Sequence, residues 1–276
     1  MNLARERFME LARGPSDALD LGHAAMLIAA EEYPHLDVRE ALRPLDDFAA
    51  LLEPRLFRLD DPTQQLGILA QLLHGELGFR GDDAATYQDP RNSFLNDVLA
   101  RRVGIPITLS VVYLEVARRV GIPLAGVGFP AHFLLRAPAP RGPYLDAFNG
   151  GRQLTQADCE TFLMDLTGGR IAFDARFLEA VDTRQILVRM LTNLKGLYVQ
   201  SGELPKAIAA IDRILLLDPA RAHEHRDRGA LYLRMEAFRS AAADLERYLE
   251  VAPAAEDRAA VEPVLAELRT RVAMLN

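Results

Sequence analysis

The chain of 276 residues is long enough for one large domain or two modest ones. Half of its residues are hydrophobic and 26% are charged, which excludes a disordered or collagen-like protein. The 32 basic and 39 acidic residues give a net charge of −7, so the sequence predicts no nucleic-acid partner.

The sequence predicts a cytoplasmic protein. The single cysteine, Cys159, excludes internal disulfides and a cysteine-rich zinc site. The start of the chain lacks the apolar centre of a signal peptide, and no apolar stretch approaches the ~18 residues that a membrane span needs. His223 and His225 lack the spacing of metal ligands, and Gly126-Val-Gly128 lacks the rest of a dinucleotide motif, so no metal or cofactor is predicted.

The N-terminal part of the chain is predicted to be helical. Apolar residues recur at helical spacing over residues 18–32, 38–52, 63–77 and 92–103. Pro34, Pro54 and Pro62 separate the first helices, and a loop over 84–89 precedes the last one.

A buried central helix and a small sheet follow. From residue 107 to residue 120 the apolar side chains occupy nearly the whole circumference of the predicted helix. Short apolar runs over 124–129, 132–136 and 144–148, separated by Pro and Gly, then predict three antiparallel strands. Helices over 155–166 and near 176–181 complete a first domain, which we place at residues 1–182.

The C-terminal part contains an internal repeat. A shift of 34 residues aligns Tyr198 with Tyr232 and Pro219 with Pro253, and this is the tetratricopeptide period. We place two repeats at about 188–221 and 222–255, within a second domain at 183–276. In the second repeat Arg228 takes the place of Leu194. Two repeats do not bury their faces alone, so the final helix, over about 256–275, is predicted to cap them.

Several segments together resemble a known family. They are Tyr87–Asn96, Arg101–Ser110, Gly128–Arg136 and Asp146–Gly150. On these segments the chain is similar to the SirB-type transglutaminase-like family, in which a transglutaminase-like core precedes tetratricopeptide repeats. The resemblance implies an α+β, mostly α fold: a papain-like core of helices with a small antiparallel sheet, followed by helical repeats.

The resemblance also implies a site. In the transglutaminase-like fold a cysteine at the start of the central helix is the nucleophile, a histidine on the next strand is its base, and an aspartate on the following strand orients the histidine. His132 and Asp146 occupy the last two places. The helix terminus stabilises a thiolate, the imidazole moves the proton, and the carboxylate fixes the tautomer. We therefore expect a hydrogen bond between His132 and Asp146.

The chain departs from the family pattern at the nucleophile. The expected position falls near Pro106 or Ile107, and neither can attack a substrate. Cys159 follows the aspartate in chain order, and we interpret it as a small, partly buried residue at a surface-like helix start. The nearby hydroxyls, Thr108 and Ser110, lie ~200° apart on a helix, so at most one can face His132. Their alternative role is a helix cap or a bond to their own helix.

Three asparagines are candidates to line the same cleft. Asn92, Asn96 and Asn149 carry amide groups that suit the binding of a peptide or amide. Their alternative roles are a helix N-cap, a side-chain bond from a helix to a loop, and an Asn-Gly turn.

These observations leave several functions open, and the first is preferred. The first is a non-catalytic protein-binding or regulatory protein, with a degenerate core and repeats that bind a protein or peptide partner. The second is an acyl-transfer enzyme or amide hydrolase that uses Thr108 or Ser110 with His132 and Asp146. The third keeps the cleft as a peptide- or amide-binding pocket without chemistry.

Overall fold

The computed structural model describes residues 3–15, 18–83, 88–137 and 142–274. Tyr87 of the first family segment, most of the loop predicted over 84–89, and Leu275 at the predicted end of the last helix lie outside these ranges. The chain forms two compact units, Met1–Met190 and Leu191–Asn276. The division falls within one helix, Thr183–Ser201, and the domain boundary at residue 182 stays a prediction.

The first unit begins with four helices, whose bounds are α1 Leu3–Arg13, α2 Leu21–Glu32, α3 Val38–Leu52 and α4 Pro62–Ala70. Asp20, Asp37 and Asp61 each cap the helix that follows by accepting a backbone N–H. α1 was not predicted. The helix predicted over 63–77 is α-helical only to Ala70, because its last part is a π-helical turn, Gln71–Glu76.

A two-stranded parallel pair frames the next helix. β1 (Arg80–Gly81) pairs with β2 (Val103–Gly104), and α5 (Leu95–Arg101) lies between them in the chain. The prediction of one helix over 92–103 was wrong at both ends. Pro90–Ser93 forms a separate 3₁₀ turn, and Arg102 ends α5 in the left-handed conformation, with φ of 64°.

The central helix is α6, Pro106–Arg119. Every residue from Pro106 to Ala117 is buried, which confirms the buried helix that the sequence predicted. α6 packs against α2, α3 and α5, and the first strands of the main sheet also contact it. The sequence produces this helix because Pro106 suits the first helical position and the apolar side chains leave no polar face.

The main sheet has five antiparallel strands in the order β6-β5-β4-β3-β7. Their bounds are β3 Ala125–Val127, β4 Leu134–Arg136, β5 Tyr144–Asp146, β6 Arg152–Leu154 and β7 Ala180–Val181. The predicted small antiparallel sheet is confirmed, although its three predicted strands are shorter and β6 and β7 were missed. The placement of His132 on a strand was wrong, because it lies in the turn before β4.

α7 (Gln156–Thr167) packs its buried side chains against this sheet. A 3₁₀ turn, Ala175–Leu178, precedes β7 where the sequence predicted a short helix. The buried residues that join α7 to the strands are Val127, Phe129, Leu134, Leu154, Cys159, Leu163 and Leu178.

The second unit is helical. Its elements are α8 (Thr183–Ser201, which begins in the first unit), α9 Leu204–Leu217, α10 Ala222–Arg234, α11 Phe238–Val251 and α12 Arg258–Met274. α10 packs closely on α11, since a Cβ on Gly229 would lie 3.0 Å from the Leu245 side chain. α12 contributes Val261, Leu265 and Leu268 to the core that it shares with α11, so it covers the repeats as the predicted capping helix does.

Candidate functional site

The site is centred on Asp146, the last residue of β5. Its side chain is fully buried, and His132 is only 5% exposed. The Nε2 atom of His132 lies 2.9 Å from Oδ1 of Asp146. The hydrogen bond that the sequence predicted between these residues is therefore present.

Both oxygens of Asp146 accept further hydrogen bonds. The backbone N–H of Asn149 donates to Oδ1 at 3.2 Å, its side-chain amide donates to Oδ2 at 2.7 Å, and Arg152 Nη2 lies 3.3 Å from Oδ2. Burial alone would raise the pKa of Asp146, but the bonds from His132 and Asn149 outweigh it and hold the pKa below its usual value. Asp146 is thus an ionised carboxylate that orients the imidazole.

Aromatic rings fix the plane of His132. Phe162 and Phe148 meet the imidazole edge to face, with centroid distances of 5.0 and 5.8 Å. Because the ionised Asp146 accepts from Nε2–H, the acceptor nitrogen of the neutral ring is Nδ1. Nδ1 has no hydrogen-bond partner within the described ranges.

The candidate hydroxyls are bonded elsewhere. Thr108 Oγ1 donates to the backbone carbonyl of Asn92 at 2.7 Å and accepts from the N–H of Ile105 at 3.1 Å. Ser110 Oγ donates to the carbonyl of Pro106 at 2.8 Å. Both side chains are fully buried, and these described residues make no hydrogen bond to His132. The structure thus places each hydroxyl in its alternative predicted role, as a cap and as a bond to its own helix.

The expected nucleophile position is apolar. Pro106 is the first residue of α6 and Ile107 the second, and both are buried. Neither side chain has an atom that can form a covalent bond with a substrate carbonyl. Pro106 and Ile107 thus supply no nucleophile at the position where the sequence led us to expect one.

Cys159 does not take over this role. Its side chain is fully buried in the core between α7 and the sheet, so the expected surface-like position was wrong. Burial, together with the nearby carboxylates of Asp158 and Asp146, raises its pKa to about 12. A thiol with that pKa is almost entirely protonated at neutral pH and is a poor nucleophile.

The candidate asparagines do not converge on one point. Asn149 contacts Asp146 directly, as described above. Asn92 is buried, accepts from Arg101 Nη1 at 3.1 Å and donates to Asp82. Asn96 lies on α5, and its Oδ1 atom is buried without a hydrogen-bond partner among the described residues. The structure thus joins only Asn149 to the histidine–aspartate pair, and a cleft lined by Asn92 and Asn96 stays a prediction.

Sequence reasoning missed Arg152 and the aromatic rings around the histidine. Arg152 reaches Asp146 because two glycines of left-handed conformation, Gly150 and Gly151, fold the chain back after β5. A Cβ on Gly151 would lie 2.6 Å from Ala70, so only glycine fits there. The Asn149-Gly-Gly-Arg152 run was the available signal, since paired glycines typically form a tight turn.

The described ranges contain neither a metal cluster nor a membrane-crossing helix. No group of three or more histidine, cysteine, aspartate or glutamate side chains in these ranges could hold a metal ion. None of the helices in the same ranges combines the length and apolar character of a membrane-crossing segment.

Comparison with known families divides the chain as the fold does. Residues 39–192 match the transglutaminase-like superfamily. Residues 194–266 match the tetratricopeptide repeat family, whose stacked helices generally form surfaces for protein partners. Together these matches confirm the predicted fold class, a transglutaminase-like core followed by tetratricopeptide helices.

Relatives of similar length share both parts. A UPF0162 protein of Xylella fastidiosa is 38% identical over 247 residues, which cover 88% of each chain. Protein SirB1 of Salmonella typhimurium is 27% identical over 82% of this chain and 85% of its own. A much longer relative matches only part of the chain. The human F-box only protein 21 is 35% identical over 156 residues, which cover 53% of this chain but only 24% of that protein.

Proposed function

Because the chain belongs to the SirB-type transglutaminase-like family yet has Pro106 and Ile107 where the nucleophile is expected, we propose that it is a non-catalytic protein-binding or regulatory protein. In this proposal the core is a folded module without acyl-transfer chemistry. The repeats bind a protein or peptide partner, and the proposed location is the cytoplasm, which suits a chain with a single cysteine.

The observation that carries the proposal is the bonding of the two hydroxyls. Thr108 would have to give up its bonds to Asn92 and Ile105 before it attacked a carbonyl. Ser110 would have to leave the carbonyl of Pro106, and both groups are buried. A hydroxyl also needs a base in contact, because almost none of it is ionised at neutral pH. His132 is not in hydrogen-bond contact with either.

The histidine–aspartate pair keeps a structural role in this proposal. Asp146 joins His132, the turn at Asn149 and the start of β6 at Arg152. Removing the carboxylate would leave the buried His132 without its acceptor, and a buried donor without a partner is costly. The pair therefore stabilises the end of the sheet whether or not a nucleophile is present.

The same pair also favours the alternatives. A histidine–aspartate distance of 2.9 Å is the distance that a general base requires of its orienting group. An enzyme that used Thr108 or Ser110 would lose its turnover when His132 is replaced. A peptide-binding cleft without chemistry would show saturable binding of a peptide amide that Asp146→Ala weakens.

The proposal is tested by turnover of activated esters and peptide amides. The purified full-length chain is compared with His132→Asn and with His35→Asn, a matched change at an exposed histidine. We expect all three to give the same slow background rate. Turnover by the wild type and His35→Asn that is lost in His132→Asn would contradict the proposal and support the enzyme.

A further inference from the structure

A pocket of about 920 Å³ lies within the unit Met1–Met190, at the C-terminal end of α6. It is bounded by the starts of α2, β3 and α8, and none of the residues of the His132 site lines it. Its buried surface includes Leu19, Ile122, Gly126 and Ile186. A pocket of this volume with an apolar floor is typical of a binding site.

The rim of this pocket is acidic. Asp20 and Asp182 are exposed on it, and the buried Glu115 also lines it. The basic residue of the lining, Arg118, lies 3.0 Å from Glu115 and 3.6 Å from Asp20, so its charge is already compensated. Asp182 accepts the N–H of Gln185 at 2.8 Å but has no ion pair among the described residues.

The helix ends around the pocket also favour a cation. The N-termini of α2 and α8 would attract an anion, but Asp20 and Asp182 already accept their amide groups. α6 directs its C-terminal, negative end toward the pocket, where Gly121 and Ile122 follow it. An anionic ligand would thus lie near three carboxylates. A cationic ligand would lie near Asp182, a carboxylate that lacks a basic partner among the described residues.

We propose that this pocket binds a protein segment that presents an arginine or lysine side chain between aliphatic side chains. The aliphatic groups cover the floor at Leu19, Ile122 and Ile186, and the cation lies against Asp182 and Asp20. Arginine and lysine suit this arrangement because their aliphatic stems pack on apolar surface while the charged end stays at the rim. The site does not depend on whether His132 performs chemistry.

Three matched peptides test the chemistry of the occupant. Acetyl-Leu-Arg-Leu-amide, acetyl-Leu-Gln-Leu-amide and acetyl-Leu-Glu-Leu-amide are titrated into the full-length chain by calorimetry. We expect saturable binding of the arginine peptide, about ten-fold weaker binding of the glutamine peptide, and no measurable binding of the glutamate peptide. Added salt weakens the binding of the arginine peptide most, because it screens the charges at the rim.

Two substitutions remove the rim charge without removing a helix cap. Asn is as good an N-cap as Asp, so Asp20→Asn and Asp182→Asn keep the helix starts and change only the charge. We expect each substitution to weaken binding of the arginine peptide about three-fold, and the double variant to weaken it about ten-fold. Asp61→Asn, the same change at the N-cap of α4, is the matched control and leaves binding unchanged.

The outcomes separate this inference from the proposed function. The pocket contains none of the residues of the His132 site, so turnover that depends on His132 would contradict the non-catalytic proposal without changing the peptide result. The inference is overturned if the arginine peptide does not bind saturably, if the glutamate peptide binds as tightly, or if the Asp20→Asn/Asp182→Asn double variant binds like the wild type.

Discussion

The two units each bury a carboxylate, and they hold it by different means. In the first unit Asp146 accepts from an imidazole and from the amides of Asn149. In the second unit Asp244 is held by Arg228, whose Nη2 and Nε atoms lie 2.6 and 2.7 Å from its two oxygens. The nearest partners of the first carboxylate are an imidazole and an amide, with Arg152 at 3.3 Å. The nearest partner of the second is a permanently charged guanidinium fork, with His225 at 3.4 Å.

The difference separates a structural ion pair from a histidine–aspartate pair with the geometry of a general base and its orienting group. Arg228 on α10 also reaches Asp212 on α9 at 2.5 Å, so one guanidinium joins three helices. It stands where the first repeat has Leu194, so an ionic connection replaces an apolar one. His132 and Asp146 have a geometry that suits proton transfer. A buried charge therefore indicates a site only when its partners suit chemistry.

The largest effect is expected in the second unit. Arg228→Leu restores the residue type of the first repeat but leaves the buried Asp244 without its guanidinium partner, with His225 Nδ1 at 3.4 Å from its Oδ1. We expect a loss of about 3 kcal/mol in the free energy of unfolding, measured by urea denaturation of the full-length chain. The matched control is Arg247→Leu, whose partner Glu250 is 64% exposed, and it changes stability by less than about 0.5 kcal/mol. Equal effects of the two variants would show that Arg228 is not a structural ion pair.

A smaller loss is expected at the first unit. Asp146→Ala removes the acceptor of His132 and Asn149, and we expect a loss of about 2 kcal/mol in the same urea experiment. Asp146→Asn retains one acceptor oxygen and loses less. An Asp146→Ala variant as stable as the wild type would contradict the structural role given to the carboxylate.

The thiol of Cys159 differs from both carboxylates, because it is buried in apolar surroundings and not in a polar network. We expect iodoacetamide at pH 8 to alkylate the native chain at least about ten-fold more slowly than the urea-unfolded chain. The pKa of about 12 also has a consequence for stability. The folded state keeps the thiol protonated, so unfolding becomes easier as pH rises above about 8.5, the ordinary thiol pKa. Rapid alkylation of the native chain would contradict the burial of Cys159.

The smallest expected effect is an acid dependence. The pKa of Asp146 is lowered in the folded state. The carboxylate therefore contributes fully to stability above about pH 4, and this contribution decreases as the pH falls further. The free energy of unfolding is measured against pH for the wild type and Asp146→Asn. We expect the wild type to lose more stability below pH 4, by about 1 kcal/mol or less. Parallel curves would show that the hydrogen bonds do not favour the ionised form.

Much of the fold follows from local patterns in the sequence. The uniform apolar character of α6 and the repeat of 34 residues both depend on residues close together in the chain. The missed strand β7 depends on a distant one, since its Val181 pairs with Gly126 of β3. A strand of two residues has almost no period of its own, and its partner alone defines it.

The candidate site divides in the same way. The family segments predicted the bond between His132 and Asp146, fourteen residues apart. The capping role of Thr108 was open from the sequence, but its acceptor, the carbonyl of Asn92, comes from a separate turn before α5. The sequence placed Cys159 at the surface because its neighbours in the chain are polar. Its own side chain lies on the face of α7 that packs against the sheet.

In the proposed function, no side chain at the start of α6 forms a covalent intermediate. The most direct measurement incubates the full-length chain with p-nitrophenyl acetate and a fluorophosphonate, followed by mass spectrometry of the tryptic peptide 103–118, which contains Thr108 and Ser110. We expect this peptide to stay unmodified in the wild type and in His132→Asn. An acetyl or phosphonyl group on Thr108 or Ser110 that His132→Asn abolishes would contradict it.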